Sequence, residues 1–373
     1  MKKILFVFGT RPEAIKLAPI IKGFLERKEF ITKICLTSQH REMLDQVVDF
    51  FELPRDYDLN IMKPNQTLSE ITSTIISGLD LVLSNFKPDY VFVHGDTTTT
   101  MAASLSAFYS NAKVCHVEAG LRTNDKNSPF PEEMNRQITG RIASYHFAPT
   151  FAAKENLLRE NISDSSILVT GNSVIDALFF TAQKTTFLNN SEIDNIRSKV
   201  DFRKDIILVT GHRRENHGEG IIKICHAIRR IALEINNTEI VFPVHLNPKI
   251  ISPVKNLLAD IPNIHLLEPL TYPSFVWMMN QSRLILTDSG GVQEEAPSLG
   301  KPVLVLRENT ERPEAVEEGT VILVGTDTDK IFFTSLELLT NSELYDQMSK
   351  KNNPYGDGKT TDRIIQFILN ASN

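Results

Sequence analysis

Short apolar runs alternate along the chain with longer segments in which apolar residues recur at helical spacing. The first run covers residues 3–8 and leads into a segment of helical period at 13–28. One face of that segment is apolar and consists of Leu17, Ile20, Ile21, Phe24 and Leu25. Three further apolar runs follow in the first half, at residues 31–37, 89–95 and 112–118. This repeated alternation of strand and helix predicts a parallel sheet with helices on both faces.

The same alternation begins again in the second half of the chain. Apolar runs occupy residues 205–211, 239–245, 263–269, 283–291 and 301–308. We therefore predict a second parallel sheet, and with it an α/β protein of two Rossmann-like domains. The polar-rich helical segment 172–204 is where the chain passes between the two sheets. The predicted domains are residues 1–171 and 172–356.

Residues 4–13 and 206–215 share one pattern without a gap: a strand, a glycine, any residue, an arginine, any residue and a glutamate. Each segment opens a sheet and turns towards a helix. The similarity predicts two related halves, with Arg11 facing His212 or Arg213 across a cleft. Chance similarity between two strand-to-helix turns is the alternative.

The charge balance excludes a general attraction for polyanions. Forty Lys and Arg residues stand against forty-six Asp and Glu residues, which gives a formal net charge of -6. Such a chain has no overall field that would draw in nucleic acid or an anionic membrane. Any site for phosphate must therefore be built locally.

The apolar runs and the cysteines indicate a cytoplasmic protein. The first apolar run ends at Phe8, which is too short for a signal peptide, and no run has the roughly eighteen apolar residues of a membrane span. Cys35, Cys115 and Cys225 are odd in number and lie in apolar segments. They are therefore interpreted as reduced core residues, with no role in a disulfide or a zinc site.

The candidate chemistry lies in the turns that follow predicted strands. Ligands of open α/β sheets bind beyond the carboxyl ends of the strands, so polar residues in those turns are stronger candidates for ligand contacts than polar residues elsewhere. Five such turns are rich in charged, hydroxyl or glycine residues, at 9–16, 94–100, 116–123, 211–216 and 287–295.

The segment Asp288-Ser289-Gly290-Gly291 indicates an anion site. It follows a predicted strand and precedes a predicted helix, so backbone N–H groups can approach an anion directly. Glu295 falls one turn into that helix, where its carboxylate can accept hydrogen bonds from ribose hydroxyls. The alternative is an ordinary helix start, with Ser289 as the cap and acids in the first turn.

Cations follow the first strand of each half. Arg11 and Lys16 lie on the first turn, and His212 and Arg213 lie on the equivalent turn of the second half. A diphosphate needs such donors from both sides, which favours phosphate binding. The alternative is that these are solvated surface cations.

Three acids of the first half are expected to converge on one edge of the sheet. Asp96 and Glu118 come after successive apolar runs, and Glu132 follows a proline-rich loop. Carboxylates that share a closed site shift one another's pKa and can act as acid and base. The alternatives are that Asp96 caps a helix and that Glu118 forms a salt bridge with Arg122.

His94, His116 and His146 lie near these acids, but they show no metal-binding spacing such as HxH or HExxH. They are interpreted as core histidines. No GxGxxG follows the first strand and no GxxxxGK[ST] occurs. We therefore expect neither a metal nor NAD.

Taken together, nine segments resemble the non-hydrolysing UDP-N-acetylglucosamine 2-epimerases, members of the glycosyltransferase-B-like superfamily. In chain order the segments are GTRPEAIK, TSQHREMLDQV, DYDLNIM, HGDTTTT, HVEAGLRT, PEEMNRQ, TGNSVIDAL, GHRREN and DSGGVQEEAPSLGKPVL. The resemblance implies a UDP-sugar in the cleft between the two domains, a homodimer, and a C-terminal helix (357–373) that joins the first domain. The apolar face of that helix would be Ile364, Ile365, Phe367 and Ile368.

The resemblance also implies residue roles. The implied catalytic residues are Asp96, Glu118, Glu132 and His212. The implied residues of the substrate and UDP site are Arg11, Lys16, Arg136, His212, Phe275, Ser289, Gly290, Gly291 and Glu295. A second UDP-GlcNAc, bound as an allosteric activator, would contact Gln39, His40, Gln46, Arg213 and His245.

The activity that the resemblance implies is the interconversion of UDP-GlcNAc and UDP-ManNAc by elimination and re-addition of UDP, without a cofactor. ManNAc units would then supply a surface polysaccharide. Four alternatives stay open: an epimerase of a related UDP-N-acetylhexosamine, a hydrolysing epimerase, a glycosyltransferase of the same superfamily, and a UDP-sugar sensor. The three acids favour epimerisation over the last two.

Overall fold

The structure is a computed structural model that describes residues 1–38 and 41–371. The chain divides into two compact units. Unit 1 comprises Met1–Ala177 and Tyr355–Asn373, and unit 2 comprises Leu178–Pro354. Each unit has its own parallel sheet with helices, so the predicted α/β class with two parallel sheets is confirmed. The domain limits at residues 171 and 356 stay predictions.

Unit 1 contains a sheet of seven strands in the order β3-β2-β1-β4-β5-β6-β7, with every neighbouring pair parallel. The strands are β1 (Lys2–Phe8), β2 (Phe30–Leu36), β3 (Tyr57–Asp58), β4 (Tyr90–His94), β5 (Lys113–Val117), β6 (Tyr145–Ala148) and β7 (Ile167–Val169). The order of the strands reverses at β1, which pairs with both β2 and β4. The turns after β1 and β4 therefore border the crevice where open α/β sheets bind ligands.

The helices of unit 1 lie between these strands. They are α1 (Arg11–Leu25), α2 (Arg41–Phe50), α3 (Leu68–Phe86), α4 (Thr98–Tyr109), α5 (Glu132–Ile142) and α6 (Phe151–Arg159), with α16 (Thr360–Asn370) at the end of the chain. A further helix, α7 (Val174–Thr185), begins in unit 1 and ends in unit 2, because the boundary falls after Ala177. A single 3-10 turn covers Asp164–Ser166 in this part of the described chain.

The core of unit 1 forms around β1, which is apolar because both of its faces are covered. Phe6 is fully buried, and its ring stacks on Phe92 with centroids 4.8 Å apart. The predicted face of α1 is buried at Leu17, Ile20, Ile21 and Phe24. The prediction that Leu25 belongs to this apolar face was wrong, because Leu25, the last residue of α1, is 41% exposed.

The C-terminal helix α16 packs on unit 1. Ile364, Ile365 and Ile368 are buried, and the Phe367 ring meets Tyr145 edge-on at 5.0 Å. The Nζ of Lys2 donates to the Ile368 carbonyl at 2.6 Å near the carboxyl end of the helix, where a cation also suits the helix dipole. The predicted apolar face of this helix is thus confirmed.

Unit 2 contains a sheet of six strands in the order β10-β9-β8-β11-β12-β13, again with parallel neighbours. The strands are β8 (Asp205–Thr210), β9 (Thr238–Pro243), β10 (Ile264–Leu267), β11 (Leu284–Thr287), β12 (Val303–Val305) and β13 (Val321–Leu323). The strand order reverses at β8, as it does at β1 in unit 1. The shared order agrees with two related halves.

The helices of unit 2 are α8 (Ser191–Arg197), α9 (Glu219–Glu234), α10 (Pro248–Leu258), α11 (Tyr272–Gln281), α12 (Gly290–Glu295), α13 (Pro313–Glu317), α14 (Thr328–Thr340) and α15 (Ser342–Ser349). Two 3-10 turns cover Arg214–Asn216 and Ala296–Leu299. The apolar sides of α9, α10 and α14 form one core cluster with residues of β8, β9 and β11.

The sequence pattern predicted nine strands and missed four, β3, β6, β7 and β13. The missed strands have two to four residues each. Three of them are edge strands, which pair on one side and need a shorter apolar run. β6 is internal but contains Tyr145 and His146, which interrupt its apolar pattern.

The three cysteines are buried in the two units and free of disulfides. Burial raises the pKa of the Cys35 thiol to about 12, with the Asp58 carboxylate adding to the effect. Burial alone raises the pKa of Cys225 to about 12. Within residues 1–38 and 41–371, no helix has both the length and the apolar character of a membrane span.

We expect the substitution Gly120→Ala to destabilise unit 1 strongly. Gly120 has a φ of +94°, and a Cβ there would collide with the backbone carbonyl of Ala153 in α6. Gly218 is the matched control, because its φ is +82° and a Cβ there meets no atom within 4 Å. Gly218→Ala carries only a conformational cost of roughly 1–3 kcal/mol, whereas Gly120→Ala adds the collision and should cost at least about 2 kcal/mol more. Urea unfolding of both variants measures the difference, and equal costs would contradict the collision.

Candidate active site

The turn after β1 is organised by a buried glutamate that was not among the predicted site residues. Arg11 begins α1, and Thr10 is its N-cap. One oxygen of Glu13, Oε2, accepts hydrogen bonds from the backbone N–H groups of Gly9 at 3.1 Å and Thr10 at 2.8 Å. The Thr10 hydroxyl donates to the same oxygen at 2.7 Å. The sequence signal is the capping box, Thr10 followed three residues later by Glu13.

The other oxygen of Glu13 reaches the turn after β4. The hydroxyls of Thr97 and Thr100 donate to Oε1 at 2.6 and 3.2 Å. Burial raises the pKa of Glu13, and the hydrogen bonds from Thr97 and Thr10 oppose this without cancelling it. Glu13 therefore ties the turn that carries Arg11 to the turn that carries Asp96.

Glu118 directly follows β5 and has a left-handed backbone conformation, with a φ of +62°. Its Oε1 forms an ion pair with the Nζ of Lys16 and accepts from the amide of Asn172 at 3.3 Å. The alternative salt bridge to Arg122 was wrong, because Arg122 forms a two-pronged pair with Glu160 at 2.6 and 2.9 Å. The carboxylate thus belongs to the same cluster as the cation of the first turn.

Asp96 lies in the turn after β4 and forms an ion pair with the Nη2 of Arg136. Asn135 donates to the backbone carbonyl of Asp96 at 2.9 Å. The alternative role of Asp96 as a helix cap was wrong, because Thr97 caps α4 and accepts from Thr100 N–H at 3.1 Å. The Asp96 side chain is left facing Arg136.

The two adjacent acids at the start of α5 differ in their surroundings. Glu133 is fully buried and accepts from the backbone N–H of Thr123 at 3.0 Å and from Gln137 at 2.9 Å. Burial raises the pKa of Glu133, but these hydrogen bonds and Arg136 outweigh it, so the pKa is lowered. Glu132 is only half-buried. Glu133 is therefore a structural group, and Glu132 is the acid of the pair that remains accessible.

The three histidines of the central strands are buried and neutral. Burial lowers the pKa of His94 to about 4, that of His116 to about 3 and that of His146 to about 4. The Nε2 of His116 bonds to the Gly95 carbonyl at 2.7 Å. In the described part of the chain, no group of three or more His, Cys, Asp or Glu residues could hold a metal ion.

The turn after β8 in unit 2 is organised by a buried aspartate. The side chain of Asp288 is fully buried, and its Oδ2 accepts from the backbone N–H of His212 at 3.0 Å and of Arg213 at 2.9 Å. The amide of Asn216 donates to the same oxygen at 3.1 Å. Burial raises the pKa of Asp288, but its bonds with His212 and Arg213 outweigh it, so the pKa is lowered. Asp288 therefore ties the turn after β11 to the turn after β8.

Two glycines follow Asp288-Ser289 at the start of α12, and one of them packs closely against an arginine. Ser289 is the N-cap of α12, and its own N–H donates to the Thr287 hydroxyl at 3.0 Å. A Cβ at Gly290 would lie 3.2 to 3.4 Å from the guanidinium atoms of Arg312. The Nε of Arg312 donates to Glu294 at 2.7 Å, which holds the guanidinium beside the glycine. Arg312 was missed by the sequence reasoning, because it caps the short helix α13, which follows no predicted strand turn with a motif.

The remaining predicted site residues of unit 2 differ in their exposure and in their contacts. The ring of His212 is 45% exposed, stacks on His245 with centroids 6.0 Å apart, and places its Nδ1 3.3 Å from Asp288. The guanidinium of Arg213 lies 4.0 Å from Glu311. Phe275 lies half-buried on α11, and Glu295 ends α12 with 9% exposure.

Unit 1 thus brings together Lys16 with Glu118 and Arg136 with Asp96, while Glu13 places Arg11 in the adjoining turn. Unit 2 brings together His212, Arg213 and His245 with the turn that holds Ser289. Gln46 is exposed on α2. Gln39 and His40 lie outside the described residues. The roles assigned to all these side chains stay predictions.

Comparison with known proteins gives a consistent family. The family model described as UDP-N-acetylglucosamine 2-epimerase matches residues 23–369. The UDP-N-acetylglucosamine 2-epimerase of Salmonella typhimurium is 55% identical over 368 residues, which cover 98% of this chain and 98% of that protein.

Solved structures agree. The UDP-GlcNAc 2-epimerase of Neisseria meningitidis bound to UDP-GlcNAc matches with a TM-score of 0.93 and 49% identity, covering 99% of this chain and 100% of that one. The enzyme of Methanocaldococcus jannaschii in complex with UDP-GlcNAc and UDP matches with a TM-score of 0.77 and 37% identity, covering 99% and 100%. The resemblance seen in the sequence is confirmed, and the chain belongs to the UDP-N-acetylglucosamine 2-epimerase family.

Proposed function

We propose that this protein is an isomerase that interconverts UDP-GlcNAc and UDP-ManNAc. Membership of the family supports the activity, and the Neisseria relative binds UDP-GlcNAc. The observation that carries the proposal is the pairing of two carboxylates with cations after adjacent strands, Asp96 with Arg136 and Glu118 with Lys16. Proton transfer at a sugar carbon requires such acids, whereas a UDP-sugar sensor does not.

We infer an elimination and re-addition route. The C2 hydrogen of UDP-GlcNAc is not next to a carbonyl group, so its simple removal would leave an unstabilised carbanion. In the elimination, a base takes the C2 proton, the electron pair forms the C1=C2 bond, and the C1–O bond to UDP breaks with its electrons going to the diphosphate. UDP then adds back to C1 of the 2-acetamidoglucal while an acid protonates C2 on the opposite face.

Unit 1 would supply the proton transfer. Glu118 is paired with Lys16 and Asp96 with Arg136, so each carboxylate is held in place as a group that can exchange a proton with the sugar. Glu132, accessible at the start of α5, is the third acid of the set.

Unit 2 would hold the leaving group. Backbone N–H groups near Ser289, Gly290 and Gly291, together with the side chains of Arg312 and His212, suit the negative charge that develops on the departing diphosphate. Arg11 would contribute from the turn after β1. Glu295 would bind the ribose, and Phe275 would lie beside the uracil.

The elimination route needs neither a metal nor a nicotinamide, so we propose a reaction without a cofactor. We further propose a cytoplasmic homodimer that supplies ManNAc for a surface polysaccharide. A second UDP-GlcNAc would act as an activator at Gln46, Arg213 and His245, together with Gln39 and His40. The stacking of His212 on His245 would connect that activator to the diphosphate.

The division of roles between the units can be tested with two substitutions. We expect Glu295→Ala to weaken UDP binding at least about tenfold, since ribose bonds are lost. Asp96→Asn should leave the UDP affinity within about twofold and lower kcat by about a thousandfold, since it removes a proton-transfer group. Calorimetry with UDP and turnover assays measure both. Equal losses of UDP affinity in the two variants would contradict the division.

The route predicts isotope incorporation. Product formed in D2O should carry deuterium at C2, because the proton is exchanged before it returns. A Glu132→Gln variant should release UDP and 2-acetamidoglucal during long incubations, since slow re-addition lengthens the life of the intermediate. Proton NMR and mass spectrometry with several UDP-N-acetylhexosamines also test a related sugar as the alternative substrate. A manno product with no deuterium at C2 would rule out the elimination.

A further inference from the structure

Two donors from different elements of unit 1 converge on one oxygen of Glu118. The Nζ of Lys16, on α1, forms an ion pair with Oε1. The side-chain amide of Asn172, in the turn between β7 and α7, donates to the same oxygen at 3.3 Å. Asn172 was not among the predicted site residues. It nevertheless reaches one of the three candidate catalytic acids.

The orientation of the Asn172 amide is defined by a second contact. Its Oδ1 accepts from the backbone N–H of Val174, the first residue of α7, at 3.1 Å. A flipped amide would place its NH2 group against that N–H and its oxygen against the carboxylate, so both hydrogen bonds would become repulsive contacts. The amide nitrogen therefore faces Glu118, and Asn172 presents a donor to it.

The backbone of Asn172 is held as well as its side chain. Asn172 is 4% exposed, and its N–H donates to the carbonyl of Tyr355 at 2.7 Å, at the point where the chain returns to unit 1. The two segments approach closely at glycines, since a Cβ at Gly171 would lie 3.3 Å from the Cα of Gly356. The returning chain thus fixes the turn from which Asn172 reaches Glu118.

Two titratable groups from other elements face Glu118. Lys16 pairs with Oε1, and the Nε2 of His94, at the end of β4, lies 3.7 Å from Oε2. The His94 ring is neutral near pH 7, because burial lowers its pKa to about 4. Lys16 therefore supplies the charge that faces the carboxylate, and Asn172 supplies a donor of fixed direction without a charge.

We propose that Asn172 is a positioning residue that orients the carboxylate of Glu118 for proton exchange with C2 of the sugar. The inference rests on the proposed function, in which Glu118 is one of the acids that exchange this proton. Lys16 attracts the carboxylate, but an ammonium on a flexible stem does not define the rotation of the carboxylate plane. The amide of Asn172, held at its other end by Val174, adds that direction. No proton passes to or from Asn172.

The test compares two substitutions that keep the contact with Val174. Asn172→Asp retains the accepting oxygen but sets a second carboxylate against Glu118, and a like charge favours the protonated form of Glu118. One limb of the kcat/KM profile should therefore move up by about one pH unit, and kcat should fall about a hundredfold. The limb is the acidic one if Glu118 takes the proton and the basic one if it gives the proton, and both shift upwards.

Asn172→Ser separates the loss of the donor from the added charge. The serine hydroxyl can still accept from the N–H of Val174, but it is too short to reach Glu118. We expect kcat to fall about tenfold with KM nearly unchanged, and the same limb to shift in the same direction by less than in Asn172→Asp.

Asn341→Asp is the matched control. Asn341 also accepts through Oδ1 from backbone N–H groups at the start of a helix, those of Glu343 and Leu344 at 3.1 Å in unit 2. This variant should keep both kcat and the pH profile. Limbs that stay in place in Asn172→Asp, with or without a loss of kcat, would assign Asn172 a purely structural role.

A second measurement covers the case in which Asn172→Asp does not fold. A hydrogen bond to a carboxylate is stronger than one to a neutral amide, so the NMR signal of the Asn172 side-chain NH2 should move upfield in Glu118→Gln. The NH2 of Asn263, which donates to the carbonyls of Ala232 and Thr238, should not move. An Asn172 signal that stays in place would overturn the proposal.

The activity of Glu118→Gln tests the parent function separately. Full epimerase activity in that variant would refute Glu118 as a proton carrier. A loss of activity in Glu118→Gln, together with an unaffected Asn172→Asp, would refute only the role of Asn172.

Discussion

Each unit of this protein depends on one buried carboxylate that joins two turns at the carboxyl ends of adjacent strands. In unit 1, Glu13 accepts five hydrogen bonds and connects the turn after β1 to the turn after β4. In unit 2, Asp288 connects the turn after β11 to the turn after β8. A buried carboxylate is costly unless it is fully hydrogen-bonded, so its donors are held in one arrangement. The positions of the functional side chains on those turns are therefore fixed as well.

The two carboxylates organise different chemistry. The turns that Glu13 joins carry Arg11 and Asp96, and Lys16 follows within α1; these are cations and an acid suited to proton transfer. The turns that Asp288 joins present backbone N–H groups, a histidine and an arginine, which suit an anion. The catalytic route proposed here needs both kinds of group, because it moves a proton at a sugar carbon and it releases a diphosphate and takes it back. The same strand order in the two sheets, with a reversal at β1 and at β8, explains why each set lies in corresponding turns.

The sequence predicted the α/β class, both parallel sheets and the turns that carry the candidate site, because long apolar strands and strand-end polar residues leave a clear periodic signal. It did not predict β3, β7 or β13, whose edge positions demand few apolar residues. It also missed Arg312, which reaches Gly290 through tertiary packing. Glu13 was overlooked although its capping box was visible, since nothing local shows that its second oxygen reaches Thr97. Contacts between turns that are distant in sequence depend on the fold, so the residue pattern of either turn alone does not predict them.

The most direct test of the account is the ratio of turnover loss to UDP-affinity loss in Glu13→Gln compared with Asp288→Asn. Each substitution keeps the size of the side chain and replaces one accepting oxygen with a donor. The account predicts that Glu13→Gln lowers kcat about a hundredfold while the Kd for UDP changes less than about threefold, and that Asp288→Asn weakens UDP binding at least about tenfold. Folded variants with matching losses of kcat and UDP affinity would contradict the claim that each carboxylate positions its own half of the chemistry.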